Sequence, residues 1–219
     1  MQRFGLDSGD GRARLLAGDG SAVAVERDGV ALGEVRWPML GRHSVMNALA
    51  ARAAAAAIGV DPAALLPALA RFRAPKRRME RLYGGGGIEV FDDFAHHPTA
   101  IRATLDGLRA QPGGRIVVAL EPRSNSMRLG VHAAQIAPAL AAADRVLFLA
   151  RPDLPWNAGE VLDGLAGRGR VATDADGLLA ALLDEVRSGD RVVFMSNGGF
   201  DGVQRRFVTA LARRAPAAG

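Results

Sequence analysis

Residues 84–125 read GGGGIEVFDDFAHHPTAIRATLDGLRAQPGGRIVVALEPRSN, and the fold follows from how this stretch alternates. Ile88–Phe91 and Ile116–Leu120 are short, apolar and rich in β-branched residues, which is the make-up of buried strands. Thr99–Ala110, between them, is amphipathic at helical spacing. The same alternation continues downstream. Strands are expected at Val146–Ala150 and Val192–Met195, with a minor one at Arg170–Thr173, and helices over His132–Ala142, Gly159–Leu165, Ala175–Arg187 and Asp201–Arg213. Strands that are apolar throughout and alternate with helices predict a mostly parallel sheet covered on both faces. Residues from about Ala74 to the end therefore read as one α/β domain with a doubly wound, Rossmann-like sheet.

A polar run follows each of four strands: Asp92 to His97, Glu121 to Arg128, Arg151 to Asn157, and Ser196 to Phe200. Open α/β sheets bind ligands in the crevice beyond the carboxyl ends of their strands, so these four loops are expected to converge on one edge.

Upstream the pattern differs. Ala22–Glu26 and Val30–Trp37 look like strands joined by Arg27-Asp28-Gly29, and Asp-Gly is a hairpin-turn signal. They have little of their own to pack on, and a sheet segment without its neighbours would leave unpaired edges. Val45–Ile58 is alanine-dense and helical, with Ser44 as a cap and Gly59 as the stop. A second helix starts at Asp61-Pro62 and runs toward Phe72, with Pro67 expected to break or kink it.

At 219 residues, 49% hydrophobic and 23% charged, the composition is that of a globular chain. No apolar run approaches the roughly 18–20 residues of a membrane span. Zero cysteines exclude a disulfide framework and a thiolate metal site, which suits a cytoplasmic location. The net charge of +5 is local: Arg71, Arg73, Lys76, Arg77, Arg78 and Arg81 face Glu80 alone, and that surplus equals the whole. Nucleic-acid binding calls for a broader basic stripe with interleaved aromatics, and only Phe72 lies in this cluster.

The strand-end residues carry more than one chemistry. Asp92-Asp93 with His96-His97 suits a divalent metal, acid/base work or sugar hydroxyls, but a zinc site lacks a third ligand of the right spacing. His97-Pro98 also reads as a helix start. Arg123 and Arg128 each suit a two-pronged grip on a carboxylate, or pairing with nearby acids on a solvated loop. Ser196-Asn197-Gly198-Gly199 lets backbone N–H groups approach an anion, or is simply a turn. The run Gly84–Gly87 reads as a hairpin or connector. His43 and Asn47 decorate a helix start, where capping and solvation explain them equally well. Lys76 is the only lysine and Arg77 follows it, so no GxxxxGK[ST] phosphate loop lies within the chain.

Taken in order, GRHSVMNALAA, KRRME, DDFAHHPTA, EPRSNSMRLG and SNGGF, spanning about Gly41 to Gly202, resemble the Mur ligases, ATP-dependent amide-bond-forming enzymes of peptidoglycan synthesis. The resemblance covers the end of that family's central ATPase domain and all of its C-terminal domain. It implies that residues 1–73 are a β-plus-helix remnant of the former, that 74–219 are the latter, and that the chain is a fragment whose Met1 is not the natural start. Such a fragment, without the P-loop, is expected to be inactive alone.

By the same resemblance Asn47 matches the adenine-contacting asparagine, Arg78 the arginine near the phosphates, and Asp93 the aspartate that holds the ribose, with Arg78 and Asp93 serving catalysis. His96, His97, Arg123, Ser124, Asn125, Arg128 and Asn197 fall in the substrate-recognising loops. Ser44 stands where relatives commonly have asparagine. The implied cofactors are ATP and Mg²⁺, with metal ligands mostly outside this chain and no metal site assigned within it. The EPRSN loop points to the branch that joins UDP-N-acetylmuramate to the tripeptide L-Ala-γ-D-Glu-meso-diaminopimelate in cell-wall recycling. The remaining partners are then the missing N-terminal and central domains, with no nucleic acid and no membrane. The alternatives are the C-terminal part of the L-alanine-adding branch, or a non-enzymatic nucleotide- or peptide-binding module.

Overall fold

The computed structural model describes residues 3–214, with the side chains of 62 and 63 left aside. The chain divides into two compact units, one made of residues up to Ala74 with Asp106–Gln111, the other of Pro75–Leu105 with residues from Pro112 on.

The first unit holds β1 (Phe4–Gly5), β2 (Gly11–Leu15), β3 (Ala22–Arg27), β4 (Val30–Arg36), α1 (Arg42–Ala57) and α2 (Pro62–Ala70). The four strands form one sheet in sequence order, antiparallel from β2 to β4, with β1 parallel to β2. Asp28 (φ 50°) and Gly29 (φ 80°) both lie in the left-handed region, the geometry of the two-residue turn whose twist matches that of the strands it joins.

The strands do have a core of their own. Ala13, Val23, Val25 and Val35 from the sheet bury against Val45, Ala48 and Leu49 of α1 and Leu66 of α2. Sequence reading missed β2 because its five residues, GRARL, carry two arginines and a glycine. Two helix expectations are corrected. Helix α1 starts one turn earlier, with Gly41 (φ 83°) as its cap, and Ser44 lies inside the first turn, its hydroxyl donating to the Leu40 carbonyl at 2.6 Å. Helix α2 continues through Pro67 to Ala70.

The second unit is a six-stranded sheet of β5 (Glu80–Gly85), β6 (Ile88–Asp93), β7 (Ile116–Leu120), β8 (Arg145–Leu149), β9 (Gly169–Ala172) and β10 (Arg191–Met195), in the order β5-β6-β10-β7-β8-β9. Five strands are parallel, and β5 pairs antiparallel with β6 through a turn at Gly86 (φ 57°) and Gly87 (φ 75°). The helices are α3 (Pro98–Arg109), α4 (Asn125–Arg128), α5 (Ala133–Ala139), α6 (Ala158–Asp163), α7 (Ala175–Glu185) and α8 (Val203–Arg214). This is the expected doubly wound α/β architecture. Strand β10 enters between β6 and β7, so chain direction across the sheet reverses there, which opens a crevice at the strand ends.

Alternate residues of each strand serve opposite faces, as the pleat requires. Val117, Ala119, Leu147, Leu149, Val192 and Phe194 pack with α7 and α8 around Leu178, Leu182, Phe200, Val203 and Phe207. Their neighbours Ile116, Val118, Leu120 and Phe148 are fully buried too, as are Ile101, Leu105 and Leu108 of α3 and Ile136 of α5. At the amino ends Arg115 grips Asp190 through Nε (2.9 Å) and Nη2 (2.8 Å) and reaches Glu185 at 2.9 Å, which ties the start of β7 to that of β10.

The Phe207 ring is fully buried and meets Phe194 edge-on, with centroids 6.0 Å apart. Phe207→Ala is expected to lower unfolding free energy in urea by about 3–5 kcal/mol. Leu129→Ala, at a residue 71% exposed, should change it by less than about 0.5 kcal/mol.

Candidate functional site

The four loops leave the sheet at one level, because Met195 of β10 lies opposite both Asp93 of β6 and Leu120 of β7, and Leu120 lies opposite Phe148 of β8. What joins them is the carboxylate of Glu121, 1% exposed, at the first position after β7. Its Oε1 accepts from Arg151 Nε (3.0 Å) and Nη2 (2.8 Å), and its Oε2 from Ser196 Oγ (3.2 Å) and the Phe200 amide (3.1 Å). One buried side chain thereby fixes the loops after β8 and β10 to that after β7.

Arg151 continues to Asp201 Oδ2 at 2.8 Å. Its hydrogen bonds to Asp201 and then Glu121 hold the guanidinium more firmly protonated than usual, and the same bond holds the Asp201 carboxyl below the ordinary carboxylate range. These contacts restrain a costly backbone: Phe200 (φ 48°) and Asp201 (φ 49°) are consecutive left-handed residues without being glycine. Gly198 is required for a different reason. A Cβ there would stand 2.5 Å from Arg123 Cγ and 2.8 Å from Glu121 Oε2.

A second cluster surrounds the basic segment. Arg77 (φ 60°) and Met79 (φ 50°), left-handed again, flank Arg78. The Arg77 side chain turns inward: Nε donates to Asp92 Oδ2 at 3.2 Å, and Nη2 donates to the carbonyls of Ser196 (2.6 Å) and Gly198 (2.5 Å). Burial pushes the Asp92 carboxyl up, and the Arg77 guanidinium offsets this only in part. Asp93 points the other way. Its Oδ2 accepts from the Met79 amide and its Oδ1 from the Ala95 amide, each at 2.8 Å. Arg78 is exposed, its guanidinium 5.3 Å from the centre of the Phe94 ring, with Arg77 at 5.4 Å from the same ring.

The two histidines are held differently. His96 Nδ1 faces the Phe94 carbonyl at 2.8 Å, which only accepts, so Nδ1 donates. His97 Nδ1 accepts from the Thr99 amide at 3.3 Å, capping α3 as a helix start requires. Its ring meets His132 edge-on at 4.4 Å.

In the EPRSN loop Ser124 caps α4, accepting from the Met127 amide, while Arg123 and Asn125 are exposed. Arg128 pairs with Asp153 at 3.0 Å in an exposed contact, and Trp156 Nε1 donates to the carbonyls of Met127 and Arg128 at 3.0 Å each. Asn197 Oδ1 is buried without a hydrogen-bond partner.

Arg78, Asp93, His96, His97, Arg123, Ser124, Asn125, Arg128 and Asn197 therefore lie at one end of one sheet. Asn47 is exposed on α1 in the other unit. Sequence reasoning did not single out Arg77, Glu121, Arg151 or His132 as site residues. For Glu121 and Arg151 a signal existed, a charged residue at the mouth of an otherwise apolar strand. For Arg77 none did, since it stands among five other cations. No three His, Asp or Glu side chains among the described residues gather as a cation site. No helix among them is long and apolar enough to cross a membrane.

Against known proteins, the family model for the Mur ligase glutamate ligase domain matches residues 77–198. The UDP-N-acetylmuramate–L-alanyl-γ-D-glutamyl-meso-2,6-diaminoheptandioate ligase of Escherichia coli K12 is 41% identical over 97% of this chain and 47% of its own length. A UDP-N-acetylmuramate–L-alanine ligase from Kineococcus radiotolerans is 38% identical over 94% of this chain and 45% of its own. The crystal structure of a murein peptide ligase from Psychrobacter arcticus superposes with a TM-score of 0.70 at 39% identity, covering 95% of this chain and 45% of that one. The chain thus spans about half the length of the curated relatives it matches. With more than half of its residues inside that match, the chain belongs to the Mur ligase family.

Proposed function

We propose that this chain is the nucleotide-closing and acceptor-binding part of an ATP-dependent ligase that joins UDP-N-acetylmuramate to L-Ala-γ-D-Glu-meso-diaminopimelate. The observation that carries this reading is how the arginines divide at the strand-end edge. Arg77 and Arg151 are turned inward and hydrogen-bonded, whereas Arg78 and Arg123 are exposed with no carboxylate at salt-bridge distance among the described residues. Exposed, uncompensated guanidiniums above a switch point suit an anionic ligand.

The lactyl carboxylate takes the γ-phosphoryl group of ATP, the bond from that phosphorus to the bridging oxygen breaks, and ADP leaves an acyl phosphate behind. The tripeptide's amine then attacks the carbonyl carbon, the carbon–oxygen bond to phosphate breaks, inorganic phosphate leaves, and the nitrogen gives up a proton to solvent as the amide forms. Arg78 stabilises negative charge on phosphoryl oxygens. Asp93 takes a ribose hydroxyl and, by accepting from the Met79 and Ala95 amides and from Thr104 Oγ1, fixes the backbone next to Arg78. Asn47 reads the adenine. His96 and His97, with Arg123, Ser124, Asn125, Arg128 and Asn197, hold the peptide, and Asn197 brings an acceptor atom that lacks a protein partner. Magnesium would be held mostly by residues outside this chain together with the phosphates. Lacking a phosphate loop, the 219-residue chain is expected to release no phosphate from ATP by itself.

A second reading rests on the likeness to an L-alanine ligase, which lies within three percentage points of identity of the first. Offering free L-alanine and tripeptide separately as acceptor decides between them. The complete natural gene product should release phosphate from ATP only when UDP-N-acetylmuramate and tripeptide are both present, and Arg78→Ala should reduce that rate about 100-fold or more. Wild-type turnover in that variant would remove Arg78 from the mechanism. Arg123→Ala should raise the KM for tripeptide about tenfold and leave the KM for ATP unchanged, since one charge-assisted hydrogen bond is worth roughly 1.5–3 kcal/mol. Arg128→Ala, already paired with Asp153, should do less.

A further inference from the structure

We propose that Arg77 is a positioning residue that couples the phosphate-facing Arg78 to the acceptor-facing turn at Asn197, an inference that rests on the reading above. Arg77 sits at a junction of elements far apart in sequence. Its amide donates to Glu80 Oε2 at 2.9 Å and its carbonyl accepts from the Phe94 amide at 2.8 Å. The backbone between is left-handed, which reverses the chain so that the Arg77 and Arg78 guanidiniums both reach the Phe94 ring. The side chain then extends to the β10 loop, where Nη2 bridges the carbonyls of Ser196 and Gly198, the residues on either side of Asn197. Asp92 fixes the other side of the guanidinium through Nε.

The two carbonyls held by one nitrogen fix the peptide plane before Asn197 and the plane after Gly198, and the Gly198 amide, donating to Ser196 Oγ at 2.8 Å, fixes the plane between, so the backbone that directs the Asn197 side chain is held throughout. Glu121 holds the same turn from the other side through Ser196 Oγ and the Phe200 amide. Arg77 thus adjoins Arg78 through its own backbone and reaches the carbonyls of Ser196 and Gly198, on either side of Asn197, through its guanidinium. A lysine cannot substitute, because an ammonium is a point donor without the planar fork that spans a carboxylate and two carbonyls.

The test compares Arg77→Gln, Arg77→Lys, Asn197→Ala and the Arg77→Gln/Asn197→Ala pair in the complete natural gene product, with circular dichroism and thermal unfolding as the fold check. Misplacing groups by about 1 Å costs about 100-fold in rate, so both Arg77 variants should fold yet lose about 100-fold in kcat/KM, with the KM values for ATP and for tripeptide both raised. Asn197→Ala should cost activity in the wild-type background and less than about threefold further in Arg77→Gln, as expected of residues that act as a unit. Rescue by lysine, full additivity with Asn197→Ala, folded variants with wild-type kinetics, or failure of both Arg77 variants to fold would each overturn the proposal. An inactive wild-type enzyme would instead sink the ligase reading, and so tells the two failures apart.

Discussion

The strand-end site depends on keeping the Glu121 carboxylate charged and out of water. Desolvating an ion costs several kcal/mol, and the cost is offset only when its lone pairs are filled with good geometry. Here two guanidinium N–H groups of Arg151, the Ser196 hydroxyl and the Phe200 amide fill them, arriving from the loops after β8 and β10. Three loops that would otherwise move independently thus share one electrostatic anchor. Removing any one donor would leave the buried charge under-satisfied, so the loops are fixed together rather than one by one.

That anchor also accounts for the strained backbone. Left-handed residues that are not glycine cost of order 1–3 kcal/mol each and persist only where their surroundings over-determine them. Phe200 and Asp201 are held by Glu121 and Arg151, and Arg77 and Met79 by Glu80, Phe94 and Asp93. In both places the strain lies beside a residue assigned to ligand binding, Asn197 in one and Arg78 in the other. A relaxed loop would let those side chains sample many directions. The strained one presents them in a single direction and meets the ordering cost at folding, before any ligand arrives.

The parallel strands were legible because a strand buried on both faces must be apolar along its whole length, as IVVAL and RVVFM nearly are. The crevice followed from that, since helices joining such strands leave their loops at one end. Edge strands do not obey the same constraint. Strand β5, with one side open, tolerates Arg81 and the paired Gly84 and Gly85, so the run Gly84–Gly87 reads in sequence as a hairpin or a connector, and the hairpin is what forms. Strand β2 is paired on both sides and hides for another reason: Arg12 and Arg14 alternate with buried Gly11 and Ala13, so only one of its faces is buried. Asp92 and Asp93 illustrate a finer limit: adjacent residues on a strand point to opposite sides, which sequence establishes, but which of the two meets a guanidinium and which meets amides is decided by β10 and by the segment after Arg77.

The crowd of cations in this chain therefore has two opposite meanings. A guanidinium that fills the lone pairs of a buried acid contributes to the shape of the site and is no longer available to a ligand. One left exposed above the same edge contributes field and hydrogen-bond donors but little to folding. Composition counts the two alike, and so does net charge, which is why the surplus of five cations could be located in the sequence but not divided between them. What separates them is the position of the acids. Asp92, Glu121 and Asp201 pair with Arg77 and Arg151, so these two guanidiniums are taken up by the fold, whereas Arg78 and Arg123 stay exposed with no carboxylate at salt-bridge distance among the described residues. A patch that small, above a preorganised crevice, matches a compact anionic ligand and not an extended one.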